Sequence, residues 1–237
     1  MAMDYAARLA GLVLFGELPA AALAELAAAM HLVHYEANAI IFREADPGHT
    51  CLVILQGLVK VYRESENGRE VVLAILGSGD MLGELSLPDG LPRSACAAAL
   101  EPVDVLVLRR DDFLRYMVTS PETAVVMLRL LSSRLRRTDG LIADAAFLDL
   151  TERVASVLLD LGRRFGREAG RGVEVPIRLR QHDIAAMVGV TRESVNRTLA
   201  LLEAEGLISY SRQRITILNP AGLRARLGAS ESASTAR

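Results

Sequence analysis

The chain has 237 residues, 51% of them hydrophobic and 24% charged, with a formal net charge of −2. That balance belongs to a folded chain of one large or two modest domains and excludes a disordered or fibrous one. Its two cysteines, Cys51 and Cys96, are far apart and form no Cys-x-x-Cys pair, which argues against a disulfide framework, an iron–sulfur cluster or a cysteine-built zinc site and suits a reducing cytoplasm.

The stretch from Leu9 to Met30 is apolar and rich in alanine, but Glu17, Pro19 and Glu25 interrupt it. No run approaches the roughly 20 apolar residues of a membrane span, and a signal peptide would want a basic start and an unbroken apolar core. Two small amphipathic helices, broken at Leu18-Pro19, are expected, with no membrane partner.

From Ala39 to Leu108 short β-rich runs alternate with glycine. Cys51-Leu-Val-Ile-Leu precedes Gly57, Val59-Lys-Val-Tyr follows, and Glu66-Asn-Gly-Arg69 supplies a hairpin turn before Val71–Leu76. Val103–Leu108 closes the series. Strands at this spacing predict a small antiparallel barrel or sandwich.

The period then changes. Ser120-Pro121-Glu122 offers an N-cap and a proline at the first helical position. Beyond it Ala124, Leu128, Leu131, Leu135, Thr138, Ile142 and Ala145 recur at alternating steps of four and three, a heptad seam that predicts a two-stranded coiled coil. The competing reading is a long helix packed on its own domain. The seam is narrow and arginine-flanked, which favours a homodimer through residues 124–145.

Phe147–Thr151 breaks the heptad and marks a hinge, with Asp149 or Thr151 as the next cap. A helix through Phe165, a loop over 166–172, a strand over Val173–Leu179 and a small polar, disordered tail over 228–237 complete the outline. Residues 1–149 carry 13 Lys and Arg against 20 Asp and Glu, while residues 150–227 carry 13 against 8. An acidic front and a basic back suit a back half that meets a polyanion, although a solvated surface produces the same balance.

Gln181–Val188 predicts a helix closed by Gly189, which tolerates a left-handed turn. Thr191 then caps a second helix over Arg192–Glu205. Ile184, Ala185, Val188, Val190, Val195 and Leu199 supply its interior, and Arg192, Glu193, Asn196 and Arg197 share the exposed face. An arginine there can fork onto guanine O6 and N7, and a glutamate can accept from cytosine N4. A merely solvated face is the bland alternative. Leu207–Leu218 reads as a hairpin wing, with Arg212, Gln213 and Arg214 at a tip suited to phosphates.

Val190-Thr-Arg-Glu-Ser-Val-Asn-Arg197 and Leu202-Glu-Ala-Glu-Gly-Leu-Ile208 resemble the winged helix-turn-helix of the Crp/Fnr superfamily, especially its cyclic-AMP receptor branch. The resemblance implies that Arg192, Glu193 and Arg197 read a TGTGA-type half-site, with Arg192 and Glu193 on one G·C pair. It also implies RNA polymerase as a partner.

Gly83-Glu-Leu-Ser-Leu87, with Arg93-Ser94 six residues on, is a second constellation. Glycine admits close approach of backbone N–H groups to an anion, Arg93 and Ser94 can hold a phosphate, and Glu84 can accept from a ribose 2′-hydroxyl. A β-turn with an incidental arginine is the alternative. The pattern resembles the phosphate-binding cassette of cyclic nucleotide-binding domains, which Gly83, Glu84, Leu85, Ser86, Arg93 and Ser94 would form, with an intervening loop one residue shorter. By register from Ala146–Thr151, the resemblance places Thr138 at the adenine and Arg134 one turn earlier. Asp139 departs from the branch, which has a serine there. Its carboxylate can accept from adenine N6 or from guanine N1 and N2, so cyclic AMP (cAMP) is the expected ligand and cyclic GMP (cGMP) stays open.

The expectation is therefore an α+β chain. It has a cyclic nucleotide-binding jelly-roll barrel over 1–120, a dimerisation helix over 121–147 and a winged helix-turn-helix over 148–227 bound to double-stranded DNA. Nucleotide would shift the population of long-helix packings, transmitted through Phe147–Leu150. The rivals are a regulator of the same fold that needs no nucleotide or senses another effector, and a nucleotide-binding module of an enzyme or channel. No nucleophile–base pair or metal-ligand cluster marks an enzyme, since His31, His34, His49 and His182 are scattered.

Overall fold

The computed structural model describes residues 5–12, 15–16, 18–119, 121–170 and 172–227. Ser120, expected as a cap, and the tail 228–237 lie outside them. The chain divides into two compact units, one of residues 1–64 and 73–135, the other of residues 65–72 and 136–237.

Two short helices, α1 (Tyr5–Ala10) and α2 (Ala20–Ala29), open the first unit. Eight strands follow: β1 (His31–Tyr35), β2 (Ile40–Phe42), β3 (Thr50–Gln56), β4 (Val59–Glu64), β5 (Glu70–Leu76), β6 (Met81–Leu82), then, after the one-turn helix α3 (Ser86–Asp89), β7 (Cys96–Ala99) and β8 (Val103–Arg109). They pair as two four-stranded sheets in the orders β1-β8-β3-β6 and β2-β7-β4-β5. This is the double sheet of a jelly roll and not a closed barrel. The continuous apolar runs of β3 and β8 follow from it. Leu52, Ile54, Val103, Val105 and Val107 face the second sheet, while Cys51, Val53, Leu55, Leu106 and Leu108 face the helices. Each strand is thus buried on both faces, so no polar alternation survives.

Helix α4 (Arg110–Thr119) leads to the 27-residue α5 (Pro121–Phe147). Val126 and Met127 of α5 sit in the core under α1, α2 and α4. On another side of the helix Leu128, Leu135 and Ile142, seven residues apart, are 63–64% exposed in the single chain.

In the second unit, α6 (Leu150–Phe165) starts at a capping box in which Asp149 Oδ1 accepts from the Glu152 amide at 2.9 Å and Glu152 Oε2 from the Asp149 amide at 2.8 Å. The Ser156 hydroxyl donates to Asp144 Oδ2 at 2.7 Å, and Arg137 Nη2 meets Asp160 Oδ2 at 3.5 Å, so the end of α5 is fastened to α6. The expected loop over 166–172 holds a strand, β9 (Arg167–Ala169), antiparallel to β10 (Gly172–Val175). The strand expected over Val173–Leu179 stops at Val175, because Pro176 has no N–H for the ladder. Then come α7 (Gln181–Val188), α8 (Arg192–Ala204), β11 (Ile208–Ser211), β12 (Arg214–Ile217) and α9 (Pro220–Arg226), with the sheet ordered β11-β12-β10-β9.

Candidate functional site

The loop between β6 and β7 is built around Arg93, which is 5% exposed. Its backbone is held on both sides, the amide donating to Asp46 O and the carbonyl accepting from Ala45 N, each at 2.9 Å. Nη1 donates to Gly83 O at 2.8 Å and Nη2 to Thr50 Oγ1 at 3.0 Å, and the guanidinium lies 4.5 Å from the centre of the Phe42 ring. Nε is buried without a hydrogen-bond partner among the described residues. Gly83 has φ +76°, and a Cβ on it would lie 2.3 Å from Arg93 Nη1. Only glycine lets backbone and guanidinium come this close.

Arg93 lines a cleft of roughly 370 Å³ of empty space continuous with solvent, whose other polar walls are Glu84, Ser86, Ser94 and Arg134. Phe42, Val61 and Leu82 form apolar walls. Glu84 is 2% exposed. Burial pushes its carboxyl above the usual carboxylate range, and Arg134, whose Nε stands 2.9 Å from Oε1, opposes that shift. Arg134 Nη2 also donates to the Met81 carbonyl. A buried cation, a backbone cradle and a buried carboxylate beside apolar walls suit a phosphate joined to a hydroxylated sugar.

All of Gly83, Glu84, Leu85, Ser86, Arg93, Ser94 and Arg134 line the cleft. Thr138 and Asp139 stand on the exposed side of α5, four and five residues beyond Arg134, and are not among its lining residues. Sequence reading missed Phe42, Thr50 and Gly48, where a Cβ would fall 2.2 Å from the Ser86 Cβ. These lie on distant strands and loops, and no spacing announces them. Burial pushes the Cys51 thiol up to about 12, which leaves it protonated and inert at neutral pH.

The α7–α8 pair is equally local. Gly189 takes φ +75° between α7 and α8, and Thr191 Oγ1 accepts from the Ser194 amide at 3.3 Å. Arg153 Nη1 donates to Val188 O at 3.3 Å, tying α6 to the end of α7. Arg192, Glu193, Asn196 and Arg197 are exposed on α8, and Arg197 Nη2 reaches Ser194 Oγ at 3.5 Å. Gln181 was not singled out from sequence as a contact, yet its side chain bridges Arg192 and Asn196. At the wing tip Arg212 and Gln213 both take positive φ, 51° and 65°, as a two-residue hairpin turn requires. Arg212 is exposed there. Arg214 lies in β12, its Nη1 2.9 Å from Glu174 Oε1.

Two family models match these two regions, the cyclic nucleotide-binding domain over residues 32–120 and the Crp-like helix-turn-helix domain over residues 152–226. The chain belongs to the Crp/Fnr family. A CRP-like cAMP-activated global transcriptional regulator of Mycobacterium tuberculosis is 36% identical over 204 residues, 86% of this chain and 91% of that one. The global nitrogen regulator of Synechococcus elongatus is 33% identical over 82% of this chain and 88% of its own. Among solved structures, the c-di-GMP-responsive global regulator CLP of Xanthomonas campestris superposes with a TM-score of 0.75 at 26% identity, covering 84% of this chain and 99% of that one.

As a Crp/Fnr protein, the chain is a DNA-binding transcription regulator with a cyclic nucleotide-binding domain, and the family is not one of enzymes. Among the described residues, no group of three or more His, Cys, Asp or Glu is placed to hold a metal ion, and no helix is long and apolar enough to cross a membrane.

Proposed function

We propose that this protein is a cytoplasmic, homodimeric transcription regulator whose reading of TGTGA-type palindromes is controlled by cAMP. The observation that carries the ligand half is the buried Arg93, with Gly83 against its guanidinium and Glu84 across the cleft. These groups fit the cyclic phosphate and the ribose of a nucleotide. The name of the Mycobacterium tuberculosis relative favours cAMP within that class. Asp139 keeps cGMP as the second reading, because a carboxylate accepts from guanine N1 and N2 as readily as from adenine N6.

The dimer reading rests on Leu128, Leu135 and Ile142, an apolar heptad row that a single chain leaves in water. Dimerisation would seat Thr138 and Asp139 on the shared seam, where both subunits approach a ligand. The DNA half rests on Thr191, Arg192, Glu193, Asn196 and Arg197 on one helical face, with Arg212 and Arg214 on the wing meeting phosphates and RNA polymerase engaged nearby.

Fluorescence anisotropy of a labelled TGTGA-N6-TCACA duplex, titrated with protein alone, with cAMP and with cGMP, tests the whole reading. Tight binding only with cAMP is expected. Preference for cGMP would make Asp139 the selective residue, nucleotide-independent binding would remove the sensor role, and the lack of any specific binding would overturn the half-site.

A further inference from the structure

Gln181 is the first residue of α7, outside the recognition helix, yet its side chain touches two residues of α8. Its Oε1 accepts from Arg192 Nε at 3.3 Å, and its Nε2 donates to Asn196 Oδ1 at 2.6 Å. The directions of both bonds are fixed by chemistry. A guanidinium has five N–H donors and no acceptor, so Gln181 must turn its carbonyl oxygen to Arg192. Its NH2 then faces Asn196, and Asn196 must answer with its own carbonyl oxygen. One obligate donor therefore sets the orientation of two amides in series.

Resting on the assignment of Arg192 and Asn196 to base reading, we infer that Gln181 is a positioning residue that sets sequence specificity by orienting both of them. Arg192 gives Nε to Gln181, and the Nη1 and Nη2 pair remains as the fork for guanine O6 and N7. Asn196 gives Oδ1 to Gln181 and presents its Nδ2 donors outward. An asparagine needs both oxygen and nitrogen to grip adenine at N6 and N7. Held this way, Asn196 favours bases that offer acceptors, such as guanine N7 and O6 or thymine O4, over that bidentate adenine contact. Gln181 needs no contact with DNA to do this.

Two substitutions separate the two bonds. In Gln181→Glu the carboxylate still accepts from Arg192 but cannot donate, so Asn196 must flip and present Oδ1 outward. In Gln181→Met both bonds are lost at nearly constant volume. Full-length protein with saturating cAMP is titrated against every single-base variant of the TGTGA half-site, and melting curves check folding.

Gln181→Glu is expected to retain the Arg192 preference and to move the preference at a neighbouring pair toward a base that donates, cytosine N4 or adenine N6, by about tenfold. Gln181→Met is expected to flatten discrimination at both positions by roughly three- to tenfold, with the salt slope unchanged. Base-preference profiles identical to wild type for both variants would overturn the inference. So would an equal loss of affinity on every sequence with Gln181→Met, the sign of a phosphate contact. Arg192→Ala serves as the control. If it alters the profile while both Gln181 variants do not, the positioning role fails and the reading head stands, whereas no effect of Arg192→Ala removes both.

Discussion

The guanidinium of Arg134 on α5 stands 2.9 Å from the carboxylate of Glu84 in the Arg93 cleft, with the Glu84 side chain 3% exposed and that of Arg134 27%. The two ends of this pair belong to different parts of the machine. Glu84 sits where a ribose hydroxyl is proposed to dock, and Arg134 lies on the helix proposed to carry the signal. A ligand that hydrogen-bonded Glu84 would draw on the same carboxylate as Arg134, and under the proposed function filling the cleft would then change how α5 is held. Differential affinity of this kind is what a population shift requires.

Glu84 also leaves a mark on stability. Burial, the largest influence, raises its carboxyl above the ordinary value of 4.5, with Arg134 opposing. A group whose pKa is raised on folding binds its proton more tightly in the native state. Its contribution is fully present below the unfolded value and is lost as pH rises through the folded one. Melting temperatures of the nucleotide-free protein should therefore climb, relative to Glu84→Gln, as pH is lowered from neutral toward about 4.5. A gap between the two proteins that does not vary with pH would show that Glu84 titrates as an ordinary surface carboxylate.

Gly83 and Arg93 should fail together. A methyl group on Gly83 would strike the Arg93 guanidinium at 2.3 Å and would also force a β-carbon into a left-handed backbone. Gly83→Ala is expected to weaken nucleotide binding at least tenfold by calorimetry, a loss of about 1.4 kcal/mol or more, and to lower the melting temperature. Arg93→Ala should abolish the nucleotide response of DNA binding. Normal nucleotide affinity in both variants would mean that the ligand binds elsewhere.

Much of this architecture was legible in the sequence because the signals are local. The turn at Gly189, the cap at Thr191, the cap at Asp149 (one of two candidates with Thr151) and the heptad row on α5 each depend on residues a few positions apart. What stayed hidden depends on the sheet pairing. Phe42 and Thr50 meet Arg93 from segments more than 40 residues away, and nothing in a linear pattern records that approach. The strand β9 carries no sequence signal because its three residues of mixed polarity, Arg167–Ala169, have no period, and only pairing with β10 holds them extended. Thr138 and Asp139 carry no local signal of their own, and only the family resemblance points to them as nucleotide contacts.

The heptad row makes its own prediction. Leu135 and Ile142 are 63% and 64% exposed in a single chain, and burying two such side chains is worth roughly 1.5–3 kcal/mol each. A charge at either place would be desolvated on association. Leu135→Glu combined with Ile142→Glu should shift sedimentation from dimer to monomer and lower palindrome affinity far more than half-site affinity. Continued dimerisation of the double variant would move the interface off this face of α5.

Arg192 and Arg212 should separate specificity from attraction. Arg192 stands on the exposed face of α8, and its loss is expected to cost roughly 1–3 kcal/mol on the TGTGA palindrome and little on unrelated DNA. Arg212 stands exposed at the wing tip with its backbone in the left-handed region, and the proposed function gives it a phosphate contact. Arg212→Ala should weaken binding almost equally on every sequence and lower the slope of log affinity against log salt by about one per protomer. Anisotropy titrations on specific and scrambled duplexes at several salt concentrations measure both quantities at once. If Arg212→Ala flattens base discrimination instead, the wing reads sequence. If Arg192→Ala changes only the salt slope, α8 does not enter the major groove with its N-terminal face.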